Sequence, residues 1–182
     1  MRYFINFAEK LLRMKDNDNE LFAEVDADGN AIGQVTRWEA HHSADRKPLH
    51  AVVHLHLFNA NGDLYLQHRP EWKDIQPDKW DTACGGHVDY GESVAEALKR
   101  EVREELGIEI VDGVEFMGKY VFESAREREL VYVHRLTYDG AVKPSADELD
   151  GGRFFSLDEI ADKMGKGFFT PNFESEYRRF FL

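Results

Sequence analysis

The stretch GGHVDYGESVAEALKREVREELGIEI, residues 85–110, sets a glycine-rich run directly in front of a segment crowded with acidic side chains. If that segment is helical, Glu101, Glu104 and Glu105 fall within roughly a 100° arc, because successive helical residues turn by about 100°. Val94, Leu98, Val102 and Leu106 recur every fourth residue and form an apolar stripe bordering the arc. The carboxylates therefore stand at the edge of a buried face, where like charges raise one another's pKa unless a cation neutralises them. Oxygen ligands at this density suit a hard divalent ion, Mg2+ or Mn2+. A solvated helix with i,i+4 ion pairs would account for EALKREVREEL taken alone. The glycines of GGHVDYGE argue against that, because a loop free of side chains lets a ligand or metal approach the backbone closely. Such a loop feeding a helix is a phosphate-and-metal arrangement. Arg100, beside Glu101 and four residues before Glu104, is placed to orient a carboxylate.

The elements that must hold this segment are legible in outline. Residues 3–14 carry apolar positions at helical spacing. Two apolar-rich runs flank Asp28-Gly29, a hairpin-turn pair, and Thr36 with Glu39 forms a capping box. The alternating, β-branched run 49–58 and the run 64–70 flank the turn residues NANGD and predict a second hairpin. Residues 69–81, with Pro70 and Pro77, read as a loop. The acidic helix is expected from Glu92 or Ser93 to Leu106, with Gly107 ending it. Strands over 114–123, 129–138 and 153–156, and helices beginning near Ser156 and Asn172, complete the chain. Interspersed strands and helices indicate an α/β or α+β sandwich.

A length of 182 residues fits one domain with a substantial core, and a hydrophobic share of 42% excludes disorder. The net charge of -12 repels a nucleic-acid backbone or an anionic membrane, and there is no basic cluster beyond pairs such as Arg178-Arg179. Cys84 is the only cysteine, which excludes an intramolecular disulfide and a cysteine-based metal cage. No run approaches the ~20 apolar residues of a membrane span. The N-terminal residues lack the uninterrupted apolar core of a signal peptide. The expectation is a soluble, cytoplasmic protein that binds a small molecule, neither nucleic acid nor membrane.

Gly86, Glu92, Arg100, Glu101, Val102, Glu104, Glu105, Gly107 and Ile108 fill every fixed position of G-x5-E-x7-R-E-U-x-E-E-x-G-U, where U is a bulky apolar residue. The segment thereby resembles the Nudix box. The resemblance implies the Nudix fold, a mixed β-sheet sandwiched between α-helices, over a single domain 1–182 with residues 1–48 as an N-terminal extension packed on the core. It also implies divalent-metal-dependent hydrolysis of a diphosphate linkage in a nucleoside diphosphate derivative or related pyrophosphate. By the same resemblance Glu101, Glu104 and Glu105 hold Mg2+ or Mn2+, assisted by the Gly86 carbonyl, while Arg100, Glu92 and Gly107 keep the box in shape. Glu104, Glu101 or a carboxylate outside the box takes the proton from water.

From about Gly29 to Leu157 the chain is also similar to the metal-dependent isopentenyl diphosphate isomerases, which share that fold. HHSADRKPLHAVVHLHLFNANGDLYLQHR and WDTACGGHVDYGES carry this likeness. It implies a second ion, held here by His42 (or His41), His50, His87, Glu127 and Glu129, a donor set that suits Mn2+ or Zn2+. It places Tyr120, Gly85 and Gly86 against substrate. One departure matters. The isomerases carry a catalytic cysteine immediately before the box glycine, where this chain has Gly85. Cys84 lies one residue earlier and, on extended backbone, faces the other way. Moving a proton on an alkene needs an acid–base pair, and glycine supplies neither. The expectation is an isomerase-like Nudix hydrolase, with isomerisation or a non-catalytic nucleotide-binding module as alternatives. Other residues stay open at this point. His54 and His56 share a strand face that meets either substrate or solvent. Trp72 and Trp80 either stack on a base or pack under a loop. The tail after Gly167 serves core packing or a homodimer contact, with Arg178 and Arg179 as candidate phosphate contacts.

Overall fold

The computed structural model describes residues 17–43, 45–73 and 75–182. The helix expected over 3–14 lies outside them. In chain order the described elements are β1 (Leu21–Val25), β2 (Ala31–Thr36), α1 (Arg37–His42), β3 (Leu49–Phe58), β4 (Leu64–His68), β5 (Trp80–Asp81) and β6 (Cys84–His87). They continue with α2 (Val94–Leu106), β7 (Glu115–Glu123), β8 (Arg128–Thr137), β9 (Gly152–Phe155), α3 (Leu157–Lys163) and α4 (Pro171–Phe181). The predicted hairpins, capping box and acidic helix all form.

β3 organises the sheet. Along one edge it pairs in parallel with β8 over its full length. Its other edge receives β1 at His50, β6 over residues 52–55 and β4 at residues 57–58, all antiparallel. The sheet is therefore mixed, as expected. β5 and β6 were not expected as strands, since proline and paired glycines weaken strand propensity. Backbone hydrogen bonding to β3 and β4 overrides that preference.

Alternation on β3 divides the molecule. Leu49, Ala51, Val53, Leu55 and Leu57 face Ala97, Leu98, Val102 and Leu106 of α2 in one core. The even-numbered side chains point to the opposite face. There Val52 packs with Tyr120, Val131, Val133 and Phe180, and a neighbouring core joins Phe58 to Phe173 and Tyr177 of α4. The result is a sheet with α2 on one side and α3 and α4 on the other, and no described helix is long and apolar enough to cross a membrane.

α2 is fixed at both ends. Ser93 and Glu96 form a reciprocal capping box, and Gly107 closes the helix at φ 66°. An alanine Cβ at Gly107 would be strained by that φ and would also stand 3.3 Å from Lys143. Gly107→Ala is expected to lower unfolding stability by about 1–2 kcal/mol, measured as a reduced denaturant midpoint with unchanged slope.

Candidate active site

Gly85 and Gly86 sit in β6 opposite His54 and Val53 of β3, and neither needs a positive φ. What they supply is space, on opposite faces of one strand. A Cβ built on Gly86 would stand 2.0 Å from Cδ of Glu101. A Cβ on Gly85 would stand 3.1 Å from Cδ2 and 3.3 Å from Nε2 of His54. The glycine pair, expected to lie in a loop, is thus in a strand stripped of side chains so that two others can cross it.

Two of the three box carboxylates reach the cleft. Glu101 accepts from Nη1 of Arg100 at 2.7 Å. Glu105, 7% exposed, accepts from the Gly85 amide at 3.2 Å and from Nε2 of Gln67 at 3.4 Å. Burial pushes Glu101 up to about 7 and Glu105 up to about 8, the latter helped by the Glu101 charge. Arg100 also donates to both oxygens of Glu92 and, at 2.9 Å, to the His87 carbonyl, which ties the helix to the end of β6. Glu104 stands on the outer side of α2, its side chain 47% exposed, 3.5 Å from Arg100, and is not among the residues lining the cleft. Glu148, from the connection between β8 and β9, does line it, and its charge adds to the upward shifts of Glu101 and Glu105. No spacing in the sequence pointed to Glu148.

A second group of donors gathers on the other face. One ring nitrogen from each of His41, His50 and His87 lies within 4.8 Å of the others. These residues come from α1, β3 and β6. Glu127 stands 3.8 Å from His41, and Glu129 stands 3.9 Å from His50. The His50 ring donates Nδ1–H to the Pro48 carbonyl at 3.2 Å, leaving Nε2 as the lone-pair nitrogen. That Nε2, Nε2 of His87 and Oε2 of Glu129 are buried without a hydrogen-bond partner. Phe22 stacks on His87 with ring centroids 3.8 Å apart. Burial pushes His50 down to about 4 and His87 well below its ordinary value, so both are neutral. Burial and the neighbouring Glu127 push Glu129 up to about 8. Neutral imidazoles and crowded acids with orphaned atoms fit a divalent cation. The histidine contributed by α1 is His41. His42, the first choice from sequence, points away: its Nδ1–H donates to the Trp38 carbonyl at 3.0 Å and its ring stacks on that indole. Neighbours on a helix diverge by about 100°, which separates the two.

Further along the same strand face, Glu176 of α4 is fully buried. It accepts from Nδ1 of His54 at 3.0 Å, Nε2 of His56 at 2.5 Å and the Tyr120 hydroxyl at 2.8 Å. Burial alone would lower the His54 pKa, but the Glu176 carboxylate outweighs it and raises the ring to about 9. Burial and Glu176 together push the Tyr120 hydroxyl well up. His54 and His56 thus share a buried carboxylate, and of the two His54 reaches the cleft. Trp80, half-buried, packs against Phe155, whereas Trp72 lines the cleft. Arg178 pairs with Glu174 and Arg179 lies over the Tyr120 ring, and neither lines the cleft.

Glu101, Glu105, His41, His87 and His54 all border one cleft of about 770 Å³. Residues 47–173 match the family model for the NUDIX domain. The chain belongs to the Nudix family. Membership makes it a pyrophosphohydrolase by class. It is 26% identical over 160 residues to an isopentenyl-diphosphate Delta-isomerase 1 of Photorhabdus laumondii, covering 84% of this chain and 90% of that protein. It is 33% identical over 139 residues to an uncharacterised Nudix hydrolase of Pseudomonas aeruginosa, covering 76% and 79% of the two chains. Among solved structures, the fold resembles that of a Deinococcus radiodurans protein at TM-score 0.76 and 23% identity, over 90% of this chain and all of that one. A MutT protein of Methanosarcina mazei gives TM-score 0.64 at 30% identity, over 74% of this chain and 94% of that one.

Two outcomes follow from this Nudix site. Gly86→Ala forces the flexible Glu101 carboxylate aside without disturbing the sheet. Metal-dependent turnover should fall roughly 100-fold, the scale of a 1 Å misplacement, while the circular dichroism spectrum is retained. Second, carboxyls raised above the ordinary 4.5 bind protons in the folded state that the unfolded chain has released. Stability of the metal-free protein therefore falls as pH rises through about 7 and 8, where Glu101, Glu105 and Glu129 become charged. His50 opposes this trend only below 6.5, as pH falls towards about 4. Thermal melts should show a lower midpoint at about pH 8.5 than at about pH 6.5, with added Mg2+ restoring more at the higher pH.

Proposed function

We propose that this Nudix protein is a divalent-cation-dependent hydrolase of small-molecule diphosphates, cleaving a nucleoside diphosphate derivative or related pyrophosphate by attack of water on phosphorus. The observation that carries the reading is the pair Glu101 and Glu105, half-neutralised by burial and brought to the cleft by an Arg100 that anchors the box. Carboxyls pushed this far up are unstable as neighbouring anions and are compensated by a hard cation, Mg2+ or Mn2+. When bound, such an ion neutralises charge on the diphosphate oxygens and lowers the pKa of water. Glu101, Glu105 and the Gly86 backbone would hold it, whereas Glu104, expected from sequence to join them, stands outside the cleft beside Arg100. Arg100 keeps Glu101 aimed. Glu148, in the cleft but off the helix, is the carboxylate assigned to accept the proton from water.

One observation favours a second reading, isomerisation of isopentenyl diphosphate. His41, His50 and His87 meet beside Glu127 and Glu129, the set that the isomerase likeness implies for a second cation. Against it, Gly85 stands in the cysteine's place. Cys84 is fully buried in the core shared with α2, and burial pushes its thiol well up. A panel of nucleoside di- and triphosphates, sugar nucleotides, dinucleotides and prenyl diphosphates, assayed with Mg2+ and Mn2+, separates the readings. Metal-dependent release of phosphate or of a nucleoside monophosphate is expected, reduced at least about 100-fold in Glu105→Gln. Conversion of isopentenyl diphosphate to its allylic isomer, seen by proton NMR without hydrolysis, would replace the hydrolase reading with the second.

A further inference from the structure

We infer that His54 is a catalytic residue of this site, donating its Nε2–H to a phosphoryl oxygen of the bound diphosphate while Glu176 positions the ring. This rests on the diphosphate-hydrolase reading and adds a residue outside the box to it. Three features of the structure support it. First, His54 is the histidine on its strand face that both borders the cleft and has a buried charged partner. Its side chain is 12% exposed, whereas those of His56 and Glu176 are fully buried. Second, the ring cannot turn freely. Its Nδ1–H is committed to Glu176, and that carboxylate is itself held by His56 and Tyr120. A donor with its partner fixed in advance is what electrostatic stabilisation of a transition state requires, because nothing must reorganise as charge develops.

Third, the chain keeps room for the ring. The Nε2 side of His54 approaches the space above Gly85, on the opposite face of β6 from the Glu101 carboxylate over Gly86. A diphosphate at the glycine pair would thus meet the box carboxylates and their cation from one side and an imidazolium from the other. Five carboxylates, Glu101, Glu105, Glu127, Glu129 and Glu148, stand on the cleft walls, together with Arg37, Arg69, Lys73 and Arg126. Two of its arginines are already engaged: Arg37 with Glu20, and Arg69 with Asp81 and two backbone carbonyls. The substitution of glycine for the isomerases' cysteine acquires a physical reason here. Any side chain at position 85 would press on the His54 ring.

The test uses the full-length protein with Mg2+ and whichever panel compound wild type hydrolyses. His54→Asn retains an amide donor near the Nδ1 position for Glu176 but deletes the Nε2 atom, and its circular dichroism spectrum is compared with that of wild type. Its kcat should fall roughly 100-fold, and His54→Gln, with a donor near the Nε2 position, should recover part of the loss. Because Glu176 acts through the ring, Glu176→Gln combined with His54→Asn should be no slower than His54→Asn alone, whereas a purely structural Glu176 would make the two losses multiply. In wild type, the ¹⁵N signal of His54 should shift when Mg2+ and methylenediphosphonate are added together. A His54→Asn enzyme at the wild-type rate, multiplying losses, or an unmoved His54 signal in a protein that binds the analogue would overturn the inference and leave the hydrolase reading intact. A wild type that neither hydrolyses the panel nor binds the analogue would overturn both.

Discussion

The architecture of this site depends on a strand that has given up two consecutive side chains. β6 runs between β1 and β4 along one edge of β3, and its residues should alternate between the two faces of the sheet. Gly85 and Gly86 leave both faces bare at one point. Onto the bare α2 side comes a carboxylate from the helix, and onto the other comes an imidazole from β3. Glycine is usually retained in proteins for a left-handed turn, but here the backbone is ordinary β structure and what matters is the missing Cβ. Substrate-sized space, the box carboxylates and the histidine row are joined at this one place.

Electrostatics then sorts the cleft into regions of different character. The α2 side holds carboxyls that burial drives toward neutrality. In the His41–His50–His87 group, His50 and His87 are driven toward neutrality by the same cause, next to a Glu129 raised by burial and by the neighbouring Glu127. Each of these two groups is short of positive charge. Around Glu176 the protein compensates a buried charge internally, with His54 as the partner. Removing one member of a buried pair leaves the other uncompensated, which costs far more than the pair contributes. That asymmetry makes the Glu176 network a rigid part of the cleft, in contrast to the two ligand groups, whose orphaned or repelling atoms call for something from outside.

Much of this was written in the sequence in a form that local rules can read. The box helix, its Ser93 start and its Gly107 stop follow from periodicity and capping chemistry, as do the hairpins around Asp28-Gly29 and NANGD. The alternation of β3 also announces that His50, His54 and His56 share a face. Other features depend on long-range placement. Whether His41 or His42 faces inward turns on the docking angle of α1, a six-residue helix with no apolar stripe long enough to reveal it. Glu176 looks like any charged residue of an amphipathic tail helix until Phe173 and Tyr177 bring that helix down over β3. β6 was hidden because its two glycines score as loop, and only the pairing with β3 makes it a strand. Glu148 lies in an irregular connection that no spacing rule reaches.

The parallel pairing of β3 with β8 has a consequence for how the cleft comes into being. It joins Leu49–Phe58 to Arg128–Thr137, segments separated by most of the family-matched region. Contacts so distant in the chain form late, since a long loop must close before they return anything. As the chain leaves the ribosome, the three clustered histidines are available well before Glu127 and Glu129, and Glu176 emerges last of all. The carboxylate that fixes His54 and Tyr120 is thus carried by the last described helix in chain order.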